Sequence, residues 1–102
     1  MMKIKKILKE ADSKLLRVTF ELENTKIKSI KLSGDFFAYP ETIIKKIEQE
    51  LIGKDIGSDF EKIISDLIKK ENAKLFGISP KLISKAFGVE KNDWRNKLHD
   101  WN

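Results

Sequence analysis

Cysteine is absent from the chain, and histidine occurs once, as His99. Those two facts exclude a disulfide scaffold, a thiolate metal site, a Cys nucleophile and a multi-His metal centre. Glycine is sparse and scattered: Gly34, Gly53, Gly57, Gly77 and Gly88 never form a phosphate cradle followed by Lys. Arginine is limited to Arg17 and Arg95, so the usual bidentate reader of phosphates and bases is nearly missing. No apolar run approaches the ~20 residues of a membrane span. Met1 to Glu10 alternates Lys with Ile where a signal peptide would carry an apolar core. A cytoplasmic protein without a membrane partner is the expectation.

What is present is one domain's worth of chain. The sequence has 102 residues, 40% hydrophobic and 36% charged, with 21 basic and 16 acidic side chains and a net charge of +5. At this size one modest core forms under a densely charged surface. The basic residues are almost all Lys and are interleaved with Glu and Asp, the pattern of a solvated surface. His99 reads as an exposed helix residue, and carboxylates pair only as surface charges, so the chain offers little as a catalyst by itself.

The first half reads as strands. Lys3 to Leu8 is short and half alternating. In Leu15 to Glu23, Leu16, Val18, Phe20 and Leu22 point one way and Arg17, Thr19, Glu21 and Glu23 the other, the period of a sheet with one wet face. Glu23-Asn24-Thr25-Lys26 is a turn, and a return strand from Ile27 to Ser33 turns Ile30 and Leu32 inward. The second half reads as helices. The first opens at Pro40-Glu41, carries Ile43, Ile44, Ile47 and Leu51, and stops at Gly53. Ser58-Asp59-Phe60-Glu61 is a capping box with Ser58 as the cap. Ser79-Pro80 opens a third helix, and a fourth from Asn92 or Asp93 sets Trp94, Leu98 and Trp101 on one face. Lys54 to Gly57 and Val89 to Lys91 read as the softest joints. Strands followed by helices make a two-layer α+β domain: a small antiparallel sheet of about three strands, followed by and packed against three to four helices.

Four local features stand out. In Gly34-Asp35-Phe36-Phe37 two adjacent Phe cannot both face the core side of one strand, so one points outward or over a loop. Asp12-Ser13-Lys14 is a turn whose Lys can present an ammonium to a phosphate. Lys74 to Pro80 combines a sharp turn at Gly77, a cap at Ser79 and Phe76 as a core plug. The Trp94, Leu98 and Trp101 stripe either docks on the domain or binds a partner.

Lys14-Leu15-Leu16-Arg17-Val18, the alternating strand after it, Lys26-Ile27-Lys28-Ser29-Ile30, Gly34-Asp35-Phe36-Phe37 with Pro40-Glu41, and Leu75-Phe76-Gly77-Ile78-Ser79-Pro80 together resemble the accessory C-terminal domain of lipoate–protein ligases. The resemblance covers about residues 10 to 88, within a single domain spanning 1–102, and leaves 89–102 as a C-terminal helical extension. It is similar to the split, archaeal-type enzyme, whose small subunit works beside a separate catalytic subunit. The resemblance implies an accessory role in activating lipoate with ATP to lipoyl-adenylate. The lipoyl group then passes to an acceptor lysine of 2-oxoacid dehydrogenase or glycine cleavage proteins.

On that resemblance this chain binds no cofactor alone and is not catalytic alone. ATP with Mg, and lipoate, belong to the heterodimer with the catalytic subunit. Lys14 is the expected phosphate-facing cation. Asp35, Phe36 and Phe37 are the expected interface or lid edge, joined by Trp94, Leu98 and Trp101. Family members often carry Gly-Gly where this chain has Asp12-Ser13, which weakens the transfer of the Lys14 role. Two rival readings have a basis in the residues. One is an interaction domain that dimerises through the Trp helix. The other is a small basic nucleic-acid-binding module, against which stands the lack of aromatics alternating with basic residues on an exposed strand face.

Overall fold

The computed structural model describes residues 2–88. Strands β1 (Met2–Leu8), β2 (Leu16–Glu23) and β3 (Lys26–Gly34) form an antiparallel sheet in the order β1-β2-β3. There follow β4 (Phe37–Tyr39), α1 (Thr42–Leu51), α2 (Phe60–Lys70), β5 (Lys74–Phe76) and α3 (Pro80–Gly88). β4 and β5 pair with each other as a separate two-stranded antiparallel ribbon. The α+β class and the three-stranded sheet packed against helices are as the sequence implies. The second, smaller sheet is an addition to that reading.

β2 supplies the centre of the core. Leu16, Val18 and Phe20 are fully buried on one face, while Arg17 on the other is exposed. The hairpin turns at Asn24, whose φ of 59° is the left-handed conformation Asn tolerates. In β3 the register slips: Glu21 faces Ser29 while Leu22 faces Ile27, so Lys28 is an extra residue. A bulge of this kind lets Ile27 and Ile30, three apart, both face inward with Leu32. The outer face carries Lys3, Lys5, Arg17 and Lys31 in the open.

The helices cover the inner face with stripes at helical spacing. α1 buries Ile43, Ile47 and Leu51, α2 buries Phe60 and Ile64, and α3 buries Leu82, Ile83, Ala86 and Phe87. The Phe87 ring lies 4.9 Å from that of Phe20 and 4.5 Å from that of Phe60, so one side chain joins sheet, α2 and α3. Pro40, joined to Tyr39 by a cis bond, stays outside α1, and Glu41 makes no side-chain cap. The cap of α2 is Asp59, which accepts from the Lys62 N–H at 3.2 Å, and not Ser58 as the capping-box reading had it. A carboxylate one residue nearer the helix takes the amide first.

The 54–57 joint is also firmer than its composition suggests. Asp55 accepts the Thr25 hydroxyl at 2.7 Å and the Gly57 N–H at 2.8 Å, and Ile27 N–H donates to the Lys54 carbonyl at 3.0 Å. This loop covers part of the outer edge of β3, and Glu48 of α1 covers another part by accepting the Leu32 N–H at 2.7 Å. Covered edges cannot recruit a foreign strand.

Candidate functional site

Three segments that are far apart in sequence meet at Lys14. The Lys14 N–H donates to the Gly77 carbonyl at 2.7 Å, and the Leu15 carbonyl accepts from the Asp35 N–H at 3.0 Å. Residues 14 and 15 are thereby held between the corner after β3 and the bend after β5. Both bends need glycine. Gly34 has a φ of +147°, and a Cβ there would stand 2.1 Å from the Leu15 carbonyl oxygen. Gly77 has a φ of +89°, and a Cβ there would stand 2.5 Å from Lys14 Cγ and 3.7 Å from the Phe36 Cα. The aliphatic stem of Lys14 thus lies directly on Gly77. Lys14 is exposed, and its ammonium has no acidic partner among the described residues. The turn at Asp12-Ser13 uses no left-handed backbone, so it accommodates side chains at both positions.

A shallow groove of about 390 Å³ runs beside this junction, lined by Glu10, Asp12, Ser13, Gly77, Ser79 and Leu82 among others. Three of its polar side chains are committed locally. The Ser13 hydroxyl accepts from the Glu10 N–H at 2.8 Å, Ser79 caps α3 by accepting the Leu82 N–H at 3.1 Å, and Glu10 pairs with Lys85. No group of three or more His, Asp or Glu side chains close enough to hold a metal ion occurs among the described residues. Among the described residues, the two carboxyls held below the ordinary range lie elsewhere and tie elements together. Asp55 is lowered by the Gly57 N–H first and then by the Thr25 hydroxyl, and Glu71 by its hydrogen bond to Lys46.

The two adjacent phenylalanines part company as the pleat requires. Phe36 is half-buried against the core, and Phe37 is 74% exposed. Asp35 is exposed. Phe37 faces Phe76 across the ribbon, Ala38 faces Leu75, and Tyr39 faces Lys74. Ala38 and Leu75 turn to the core while Phe37, Tyr39 and Phe76 stand outward, the last two 71% and 51% exposed. Phe76 is therefore a surface ring and not the core plug its surroundings in sequence suggested. Tyr39 and Phe76 are the residues that the sequence reading did not bring into the site. The alternation in Phe37-Ala38-Tyr39 and Lys74-Leu75-Phe76 spans three residues each, too short a run to mark them before β4 and β5 pair. Trp94, Leu98, Trp101 and His99 lie outside the described residues.

Residues 9–87 match the family model described as the bacterial lipoate protein ligase C-terminus. The chain belongs to that family. It is 43% identical over 60 residues to lipoate-protein ligase A subunit 2 of Thermoplasma acidophilum, an alignment that covers 59% of this chain and 58% of that relative's length. It is also similar, with a TM-score of 0.73 and 35% identity, to a chain solved in the structural analysis of an archaeal lipoylation system. That work describes a bi-partite lipoate protein ligase and its E2 lipoyl domain from Thermoplasma acidophilum. The likeness covers 84% of this chain and 94% of the other. Three of the segments quoted from the sequence, those at residues 14–18, 34–37 and 75–80, are the ones that meet at Lys14. Among the described residues no helix is long and apolar enough to cross a membrane.

Proposed function

We propose that this protein is the accessory subunit of a two-part, cytoplasmic lipoate–protein ligase. It is needed for ATP-dependent activation of lipoate to lipoyl-adenylate, before transfer to the acceptor lysine of a lipoyl protein. It acts as lid and partner for a separate catalytic subunit. The observation that carries this reading is the near-complete likeness to a chain from a bi-partite ligase system, 94% of whose length is covered.

The geometry supports the role. Adenylation brings a carboxylate against a triphosphate, so like charges must be screened and water kept out. ATP with Mg and lipoate supply that chemistry in the complex, and Lys14 is the residue here that would face a phosphate oxygen. Its backbone is fixed on both sides, so its ammonium swings on an anchored stem and less ordering is needed when an anion arrives. Asp35 and Phe37 form the exposed lid edge, and Phe36 holds that edge to the core from beneath.

The test is lipoate-dependent ATP–pyrophosphate exchange by the cognate catalytic subunit, with and without this chain. Exchange that appears only when the chain is added is the expected result; equal exchange either way overturns the proposal. With Lys14→Ala, exchange is expected to fall about tenfold or more, an effect of ~1.4 kcal/mol on the barrier, while the complex still forms.

A further inference from the structure

The β4–β5 ribbon faces solvent with Phe37, Tyr39 and Phe76, exposed by 74%, 71% and 51%. At ~200 Å² per ring, those exposures leave roughly 400 Å² of aromatic surface in water. That is as large as the biggest apolar patch on a typical monomer, and such patches are often functional. It is also about half of the ~800 Å² that each partner contributes to a standard interface, which suits the centre of one. Aromatic rings are the side chains that dominate such centres.

We infer that this ribbon is the face on which the catalytic subunit docks, through an apolar anchor flanked by a carboxylate; the inference rests on the two-part ligase reading above. The shape of the surface specifies the anchor. A notch of about 570 Å³ opens between Tyr39 and Phe76, with Asn72 and Lys74 at its side. A second, more apolar groove of about 470 Å³ lies on the far side of Phe76, where Ile68, Leu75 and Pro80 form part of its wall. Lys74 has no acidic partner among the described residues, so its ammonium is available for a carboxylate on the incoming chain. A charge pair at the rim of an aromatic contact fixes orientation more than it adds affinity.

The position of the ribbon ties docking to the candidate site. Phe37 follows Phe36, whose Cα lies beside Gly77, and Phe76 precedes Gly77, whose carbonyl holds the Lys14 N–H. A partner seated on the rings therefore bears on the two strands whose ends hold Lys14. A single-stranded nucleic acid stacking on the rings is the disfavoured occupant. The open row of Lys3, Lys5, Arg17 and Lys31 belongs to the outer face of the three-stranded sheet, so it gives the aromatic ribbon no phosphate track.

The experiment is calorimetric titration of the cognate catalytic subunit with the full chain. It compares the wild type, the triple variant Phe37→Ser/Tyr39→Ser/Phe76→Ser, Lys74→Glu, and an Ile7→Ser control that alters an exposed apolar residue elsewhere. Binding is expected to weaken at least a hundredfold in the triple variant and about tenfold in Lys74→Glu, and to stay unchanged in the control. Circular dichroism checks that each variant is folded, and if the triple variant is not, Lys74→Glu decides. Wild-type affinity in the folded variants overturns the docking face. So does a wild-type dimer that the triple variant abolishes without loss of subunit binding, or salt-sensitive binding of an oligonucleotide that depends on the rings. Pyrophosphate exchange run in parallel separates the two claims: binding without any stimulation of exchange overturns the accessory role and leaves the docking face standing.

Discussion

A methyl group added at Gly34 meets a backbone oxygen, whereas one added at Gly77 meets a lysine side chain. Neither backbone suits an L-residue, and holding one there costs about 1–3 kcal/mol. At Gly34 the Leu15 carbonyl must also move, and it cannot do so without breaking its bond from Asp35. Gly34→Ala should therefore lose about 3 kcal/mol of stability in urea denaturation. At Gly77 the closest obstruction is Cγ of Lys14, which a rotamer change moves away, while Cβ at 3.0 Å asks only a small shift of the chain. Gly77→Ala should lose only about 1–2 kcal/mol, yet lower pyrophosphate exchange by redirecting the ammonium. An exchange rate equal to wild type in folded Gly77→Ala protein would show that the position of Lys14 is irrelevant. The sequence marks Gly77 as a bend and Lys14 as a candidate cation. It holds no sign that one lies against the other, because that contact exists only once β5 has paired with β4.

Helix α2 offers two capping residues in a row, and one of them does the capping. Asp59 accepts the Lys62 N–H, while the Ser58 carbonyl accepts from Phe60 and the Ser58 N–H donates to Asp55. Asp59→Ala should cost about 1 kcal/mol, the usual loss of an N-cap, and Ser58→Ala a few tenths at most; thermal denaturation of the two variants distinguishes them. A larger loss at Ser58 would restore the capping box. The same resolution limit governs the other elements. β2 is legible because eight residues repeat a clean period of two, and the stripes of α1, α2 and α3 are legible at helical spacing. β4 and β5 have three residues each, too few for a period to separate them from loop. Strict alternation from Ile30 and Leu32 would turn Ile27 outward, and the bulge at Lys28 is what brings it inside. Loop 54–57 looks soft because Gly and Asp also favour loops, yet Asp55 ties it to Thr25. At the site, pleat geometry alone turns one of Phe36 and Phe37 outward without saying which, and for Phe76 the neighbouring Gly-Ile-Ser-Pro run gives no facing direction at all.

Across the whole molecule, stability is concentrated at the junction of Phe20, Phe60 and Phe87. The three rings come from β2, α2 and α3 and pack at tilted angles around Phe87, with centroids 4.5 and 4.9 Å from it. A chain of this length has a total stability of about 5–15 kcal/mol, and Phe→Ala in a core removes about 3–5. Two outcomes are physically distinct for Phe87→Ala. If α3 were a clip on an independent sheet, it would melt first and β2 would keep its amide protection. The packing argues otherwise, because Phe87 is 2% exposed and Phe20 beneath it is fully buried, so removing the ring opens a cavity that sheet and α2 share. Phe87→Ala should thus unfold in one transition, with a loss of about 3–5 kcal/mol and an unchanged denaturant slope. Hydrogen-exchange protection of β2 and α2 should fall together by the same free energy. Retained protection in β2 with loss in α3 alone would refute a single cooperative unit. The outcome also bears on docking. A ribbon whose inner residues, Ala38 and Leu75, rest on one cooperative core is presented to a partner as a rigid face, and a rigid face loses little entropy on binding.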